Sequence, residues 1–348
     1  MLFSVRRNRR SGGGYAVMST AVLGARGVSK EFSSGSDFIS KAMRRPEQTV
    51  HAVQDVTFDL GENEVLGLVG ESGCGKSTLG RILAGLIPST SGDILLGGDH
   101  PTSFDRAQKR DWARNVQMIF QNPYASLNAR RTVRQCITEP LHVHQMVPDG
   151  DLESRTNELL EMVGLTPEFG DRLPHQLSGG QCQRVGIARA LAVSPRVLIC
   201  DEVVSALDVS IQAQILNLFA DLREEMRIAY LFISHDLGVV ERLSDRVAVM
   251  YLGRIVEMAD RREIFEAPEH PYTVALLQAV PKIGIGSRDV EIVAGERPSP
   301  LDPPSGCHFH PRCPHATARC STEVPALRKV GNKRYAACHF AGREQANG

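Results

Sequence analysis

The residues best suited to chemistry form a glycine-rich segment between an apolar run and a helical pattern. Gly70–Thr78 reads GESGCGKST and satisfies the pattern G-x-x-x-x-G-K-[ST]. Glycine amides can approach phosphate oxygens because no side chain stands in the way, and a lysine can reach the β and γ phosphates. We expect nucleotide contacts along the whole loop: Gly70, Glu71, Ser72, Gly73, Cys74, Gly75, Lys76, Ser77 and Thr78.

A second motif ends a buried apolar run in two carboxylates. Val197–Glu202 reads VLICDE, which places both charges at the carboxyl edge of a parallel sheet, where such sheets bind ligands. Asp201 is predicted to hold Mg²⁺, and Glu202 to polarise the attacking water as a general base. An Asp-Glu pair alone is usually only solvated, but downstream of a phosphate loop it predicts a hydrolytic site.

A third motif, LSGGQ, lies just before the Asp201 strand. Ser178 is expected to cap a helix, and the amides of Gly179 and Gly180, with Gln181 beside them, form a second anion site at the helix start. An ordinary capped helix is the alternative reading. The position of the motif, immediately before the carboxylate strand, favours the anion site.

Three single residues complete the predicted site. Gln121 ends a strand at the edge where Mg²⁺ would lie, and we expect it to bind the ion together with Ser77 and Asp201. His235 ends another strand, suited to contact a γ-phosphate or to orient a water. Asp208 lies in the segment SALD, just after Glu202. Each residue alone would more often be structural, but all three fall where a phosphate site is already indicated.

The elements that must position these residues alternate between short β-branched runs and helical patterns, which indicates an α/β domain over residues 23–265. A helix carrying Leu79, Ile82, Leu83 and Leu86 is expected to run on until Pro88 stops it. The more polar residues 125–176 predict a helical insert. Strands are expected over 65–69, 116–120, 197–200, 228–234 and 246–251.

Composition limits the remaining possibilities. The chain has 348 residues, with 40 Lys plus Arg against 40 Asp plus Glu. That balance argues against coating a nucleic acid, and no apolar run approaches the roughly 20 residues that span a bilayer. Residues 1–22 are arginine-rich and are expected to be a flexible tail, with Met18 as an alternative start. Residues 266–348 shift to Pro, Gly and Cys and predict a small appended module.

Four cysteines crowd into that module with the spacing C-x5-C-x6-C-x17-C: Cys307, Cys313, Cys320 and Cys338. In a protein of a reducing compartment, such a group of thiols predicts a metal site rather than disulfides. Zinc prefers shorter pairs, although a nearby histidine could replace one thiol; a [4Fe–4S] cluster tolerates more varied spacings. The pattern leaves both metals open, with iron–sulfur favoured over zinc and free structural thiols as the least favoured alternative.

The order of these motifs resembles the ATPase subunit of ATP-binding-cassette (ABC) transporters over residues 23–265. This resemblance implies a P-loop NTPase fold of the ABC type, with an antiparallel β subdomain beside the helical insert. It also implies that ATP is held between the Gly70–Thr78 loop of one cassette and the Ser178–Gln181 segment of a second, either a diverged sister or an identical chain. Phe32 is the best match for the aromatic residue that stacks on adenine, with Phe38 as the competitor.

A narrower resemblance, carried by Phe120–Asn128, Val204–Gln214 and His270–Leu277, is to oligopeptide and dipeptide importers. It implies two membrane permeases, an external binding protein and a cytoplasmic position on the inner face of the membrane. It also implies the [4Fe–4S] cluster in the C-terminal module. Import of nickel or glutathione is the alternative within this group. A soluble ABC ATPase and a regulatory subunit without turnover are the more distant alternatives.

Overall fold

The computed structural model of this protein describes residues 21–34, 48–98, 105–279 and 298–342. Residues 1–20 of the predicted tail, and Phe38, lie outside these ranges. Within them, no helix is both long and apolar enough to cross a membrane. The strands are β1 (Ala21–Ser34), β2 (Gln48–Gly61), β3 (Val65–Val69), β4 (Ser91–Leu96), β5 (Val116–Ile119), β6 (Val197–Asp201), β7 (Ala229–Ser234), β8 (Arg246–Tyr251), β9 (Arg254–Asp260), β10 (Arg328–Gly331) and β11 (Arg334–Ala336).

The strands of the described residues form two sheets. The larger has the order β10-β11-β9-β8-β3-β7-β6-β5, and β8, β3, β7, β6 and β5 run parallel. Strands β3, β6, β7 and β8 are buried along their whole length, as their continuous apolar sequences require. The smaller sheet, β2-β1-β4, is antiparallel throughout. The predicted α/β fold with an antiparallel subdomain is confirmed.

Helices cover the large sheet and form the insert. They are α1 (Lys76–Leu83), α2 (Arg106–Asn115), α3 (Pro123–Ser126), α4 (Val133–Val143), α5 (Leu152–Met162), α6 (Gly179–Leu191), α7 (Val209–Met226), α8 (Leu237–Leu243), α9 (Arg261–Glu266), α10 (Pro271–Gln278) and α11 (Ala318–Thr322). Buried side chains of α4 and α5, such as Ile137, Leu141 and Leu159, join one apolar cluster with α6 and α7. The insert is therefore packed onto the helix that begins at the LSGGQ motif.

The prediction that Pro88 ends the first helix was wrong. Helix α1 ends at Leu83, and Gly85 adopts a left-handed φ of 72°. The amide of Gly85 donates to Ile82 O and the amide of Leu86 donates to Arg81 O, which is the Schellman arrangement. Leu86, expected on the buried face, lies beyond the helix and is 54% exposed.

Candidate active site

The phosphate loop lies between β3 and α1, and its backbone requires glycine. Gly75 has a φ of 108°, and a Cβ there would lie 2.1 Å from Ala52 O. Gly70 is equally confined, because a Cβ would lie 2.2 Å from Met250 O. The loop is thus pressed against β2 and β8 on its outer side, and its amides are left to line the cavity on the other side.

Lys76 is buried at the start of α1, with its ammonium group inside the loop. Its Nζ donates to Gly70 O at 2.6 Å and to Glu71 O at 2.9 Å. These carbonyls hold the ammonium where the phosphates of a nucleotide are expected. Cys74 is buried, and its Sγ lies 3.8 Å from the same Nζ. It lines the cavity together with Ser72, Gly73, Gly75, Ser77 and Thr78.

Four neighbouring parallel strands bring the other predicted residues to the same edge. The strands β3, β7, β6 and β5 are adjacent, and they end at the loop, His235, Asp201–Glu202 and Gln121 respectively. Ser77 Oγ donates to Asp201 Oδ1 at 2.7 Å. Burial raises the pKa of Asp201, and the hydrogen bond from Ser77 opposes that rise. Two sequence motifs, joined here through residues 124 positions apart, are thereby assembled into one site.

Glu202 is held at the centre of this edge. Gln121 Nε2 donates to Glu202 Oε2 at 2.7 Å, and His235 Nδ1 lies 3.2 Å from Glu202 Oε1. The residue has a φ of 49°, in the left-handed region that non-glycine residues rarely occupy. The adjacent backbone is fixed by the bond from Glu202 N to Ile233 O at 3.0 Å. A carboxylate that lines the same cavity as the phosphate loop suits a general base.

The LSGGQ segment does not line this cavity. Ser178 caps α6 as predicted: its Oγ accepts from Gln181 N, and Gln181 Oε1 accepts from Ser178 N in a capping box. Gly179 and Gly180 form the first turn, and Asp208, which is exposed, precedes α7. None of these four residues, nor Asp208, is among the described residues that line the cavity.

Phe32 lies at the rim of the cavity on β1, and its ring is 44% exposed. Several lining residues carried no sequence signal: Val50, His51, Ala52, Leu252, Gly253 and Pro300. Pro300 comes from the C-terminal region, and its carbonyl accepts a hydrogen bond from His51 N. No local motif could have predicted it, because its place depends on how the C-terminal region packs on β2.

The predicted iron–sulfur or zinc site was wrong. Among the described residues, no three His, Cys, Asp or Glu side chains are placed so that they could hold a metal ion. Burial raises the pKa of Cys307 to about 11 and also raises that of Cys313. Cys307 and Cys313 instead pack against the apolar cluster that contains Phe309, and the Cys338 thiol accepts from Phe340 N.

Comparison with known proteins agrees with this site. The profile "ABC transporter" matches residues 53–205, and "Oligopeptide/dipeptide transporter, C-terminal region" matches residues 256–320. The chain is 48% identical to a probable peptide ABC transporter ATP-binding protein of Sinorhizobium fredii, covering 92% of this chain and 90% of the relative. It is 46% identical to the oligopeptide transport ATP-binding protein AppF of Bacillus subtilis, covering 93% and 99%.

A solved structure also matches over most of the chain. The dimeric, post-hydrolysis structure of the ATP-binding cassette MJ0796 bound to ADP and phosphate aligns with a TM-score of 0.60 at 26% identity, covering 69% of this chain and 99% of that one. The phosphate loop, the LSGGQ segment and the carboxylate pair all lie within residues 53–205, which the ABC transporter profile matches. The chain therefore belongs to the ABC transporter ATP-binding proteins, in the group that carries the oligopeptide/dipeptide transporter C-terminal region.

Proposed function

We propose that this chain hydrolyses ATP to drive the import of oligopeptides or dipeptides through a membrane transporter. The observation that carries the hydrolytic part is the group of Gln121, Glu202 and His235 beside the phosphate loop, in which Gln121 donates a hydrogen bond to Glu202 and His235 Nδ1 lies 3.2 Å from it. The peptide cargo is supported by the relatives, which are named as peptide transport proteins, and by the C-terminal region.

The nucleotide is bound by the amides of the loop and by Lys76, and Phe32 supplies an aromatic face for the base. Ser77 and Asp201 fit Mg²⁺, because a hydroxyl and a carboxylate 2.7 Å apart can join phosphate oxygens and waters around a small, hard cation. Bound there, the ion supplies charge neutralisation of the β and γ phosphates. Gln121 lines the same cavity as Ser77 and is the third residue proposed to hold the ion, and its amide nitrogen donates to Glu202.

Glu202 accepts a proton from the attacking water, and His235 holds the Glu202 carboxylate from the other side and contacts the γ-phosphate. General-base help of this kind is worth roughly 10²–10⁴ in rate. The Ser178–Gln181 segment and Asp208 of a second cassette complete the site, which agrees with their absence from this chain's own cavity lining.

The proposed partners are those of a peptide importer. A second ATP-binding subunit, a diverged sister or a second copy, closes on the nucleotide, and two membrane-spanning permeases respond to that closure. An external binding protein delivers the cargo, and this chain works on the cytoplasmic face of the membrane. The residue set that contacts the permeases is expected near Gln121–Asn128 and the helical insert.

Uptake by the reconstituted transporter tests the proposal. Liposomes that hold the permeases, both ATP-binding subunits and internal ATP would be offered radiolabelled tripeptide, Ni²⁺ or glutathione with the cognate binding protein. We expect ATP-dependent accumulation of the peptide, and we expect none when the transporter is assembled with the Lys76→Ala variant of this chain. Accumulation of Ni²⁺ or glutathione without peptide would overturn the cargo assignment and leave the hydrolytic assignment intact.

A further inference from the structure

The C-terminal region contacts the phosphate loop at a residue that lies outside the nucleotide cavity. The amide of Glu71 donates to the Tyr272 hydroxyl at 3.0 Å, and the Glu71 carboxylate pairs with Arg312 Nη1 at 3.1 and 3.4 Å. The Glu71 carbonyl accepts from Lys76 Nζ at 2.9 Å. One residue, Glu71, thus joins two side chains of the C-terminal region to the lysine expected to bind phosphate.

Both contacting side chains are rigidly placed in an aromatic cluster. The ring centroids of Tyr272 and Tyr251 are 4.5 Å apart, and Phe309 lies 5.5 Å from Tyr272 and 5.4 Å from Tyr251. Arg312 follows Phe309 in a short 3₁₀ turn, and its side chain is only 10% exposed. Its guanidinium lies about 6 Å from the Tyr251 and Phe309 ring centroids, within range of a cation–π attraction.

The start of α10 is fixed independently. Glu257 is fully buried, pairs with Arg334, and accepts hydrogen bonds from the amides of Glu269 and His270. The ring nitrogen Nδ1 of His270 then accepts from Tyr272 N at 3.1 Å. The hydroxyl of Tyr272 therefore reaches Glu71 from an anchored support, not from a free loop.

We propose that Arg312 and Tyr272 are positioning residues for ATP binding, acting through Glu71 on the phosphate loop and Lys76. This inference rests on the proposed ATPase activity. Neither side chain is among the described residues that line the cavity. Arg312 also neutralises the Glu71 carboxylate, which lies beside the expected position of the ATP phosphates. Loss of Arg312 would therefore leave a negative charge that repels the phosphates and would let the loop move more freely.

Steady-state ATP hydrolysis by the full chain in its transporter complex tests the role of Arg312. Since the loop holds ATP in the ground state and the transition state alike, Arg312→Ala should raise KM for ATP by about tenfold and change kcat by less than about threefold. Arg312→Lys, which keeps the charge, should recover most of the loss. Arg319→Ala is the matched control, because Arg319 makes an exposed pair with Glu323 in the same region.

A double-mutant cycle separates positioning from a general structural role. If Arg312 acts through the Glu71 carboxylate, Arg312→Ala should have little further effect on KM in a Glu71→Gln background. An equal rise in KM in both backgrounds, or an unchanged KM in Arg312→Ala alone, would overturn the proposal. A wild-type complex that hydrolyses no ATP would instead overturn the proposed function.

Amide hydrogen exchange of the nucleotide-free chain tests Tyr272. Tyr272→Phe removes the acceptor of the Glu71 amide, so a peptide spanning residues 70–76 should exchange several-fold faster than in the wild type. Tyr230→Phe is the control, because the buried Tyr230 hydroxyl has no hydrogen-bond partner among the described residues. Unchanged exchange in Tyr272→Phe, or the same acceleration in Tyr230→Phe, would overturn the role of Tyr272.

Discussion

At the scale of single residues, the site depends on backbone positions as much as on charged side chains. Gly75 is the sharpest example, because its φ of 108° and its approach to Ala52 O leave no room for a Cβ. Glu202 shows the reverse case, a side chain that must be present although its φ of 49° is unfavourable. Both positions lie where a triphosphate is expected.

Gly75→Ala should weaken ATP binding by about 10–100-fold, because the loop must move away from β2 to admit the methyl group. Equilibrium binding of a fluorescent ATP analogue measures the effect. Gly150→Ala is the matched control, since a Cβ there meets nothing within 4 Å. Affinity equal to that of the wild type in Gly75→Ala would show that the loop does not bind nucleotide in this conformation.

At the scale of elements, strand ends were predictable and helix ends were less so. The apolar runs before Gly70, Glu202 and His235 define buried parallel strands, and a motif that follows such a strand must lie at its carboxyl edge. The helical spacing of apolar residues runs on to Leu86 and suggests that Pro88 ends α1. The helix instead ends at Leu83, because Gly85 adopts the left-handed conformation that closes it.

Contacts between distant elements could not be predicted at all. Arg312 and Pro300 reach the site from more than 200 residues away, and neither belongs to a motif that marks such a contact. The cysteine spacing failed for a related reason. Spacing alone does not say which thiols turn toward one another and which pack into an apolar cluster, as Cys307 and Cys313 do.

The start of α10 should make stability depend on pH. Burial lowers the pKa of His270 to about 3, whereas an unfolded histidine titrates near 6.5. Below about pH 6.5, His270 binds a proton in the unfolded chain but not in the folded chain. The stability that His270 contributes at neutral pH is therefore lost as the pH falls. His270→Asn keeps a side-chain acceptor for the helix start without that proton.

Urea unfolding at pH 7 and pH 5, followed by circular dichroism, measures this contribution. Between these pH values the wild type should lose about 2 kcal/mol more of its unfolding free energy than His270→Asn. His308, whose pKa burial also lowers, to about 4, is common to both chains and cancels in the comparison. Equal losses would mean that His270 is not the buried neutral group described here.

At the scale of the whole molecule, the phosphate loop and the LSGGQ segment of one chain do not line the same cavity. The phosphate loop opens into the cavity, and the capped start of α6 lies outside it. In the proposed mechanism, the LSGGQ segment of a second cassette completes the site. The aligned structure of the MJ0796 cassette is itself dimeric.

Ser178→Arg tests this division. The isolated chain should bind ATP with an affinity within about twofold of the wild type, because Ser178 does not line its own cavity. Phosphate release by the assembled transporter should fall at least about tenfold, since the new side chain blocks the site across the joint. Gly150→Arg controls for an added exposed arginine. Weakened ATP binding in the isolated Ser178→Arg chain would place the segment in its own site.

The most direct test of the central claim is the rate of phosphate release by the complete transporter that carries Glu202→Gln in this chain and in its counterpart position. The account predicts that ATP still binds, because the loop, Lys76 and Asp201 are untouched, while turnover falls by about 10²-fold or more. Near-normal turnover with the carboxylate removed would contradict the assignment of Glu202 as the base and, with it, the mechanism built around this edge of the sheet.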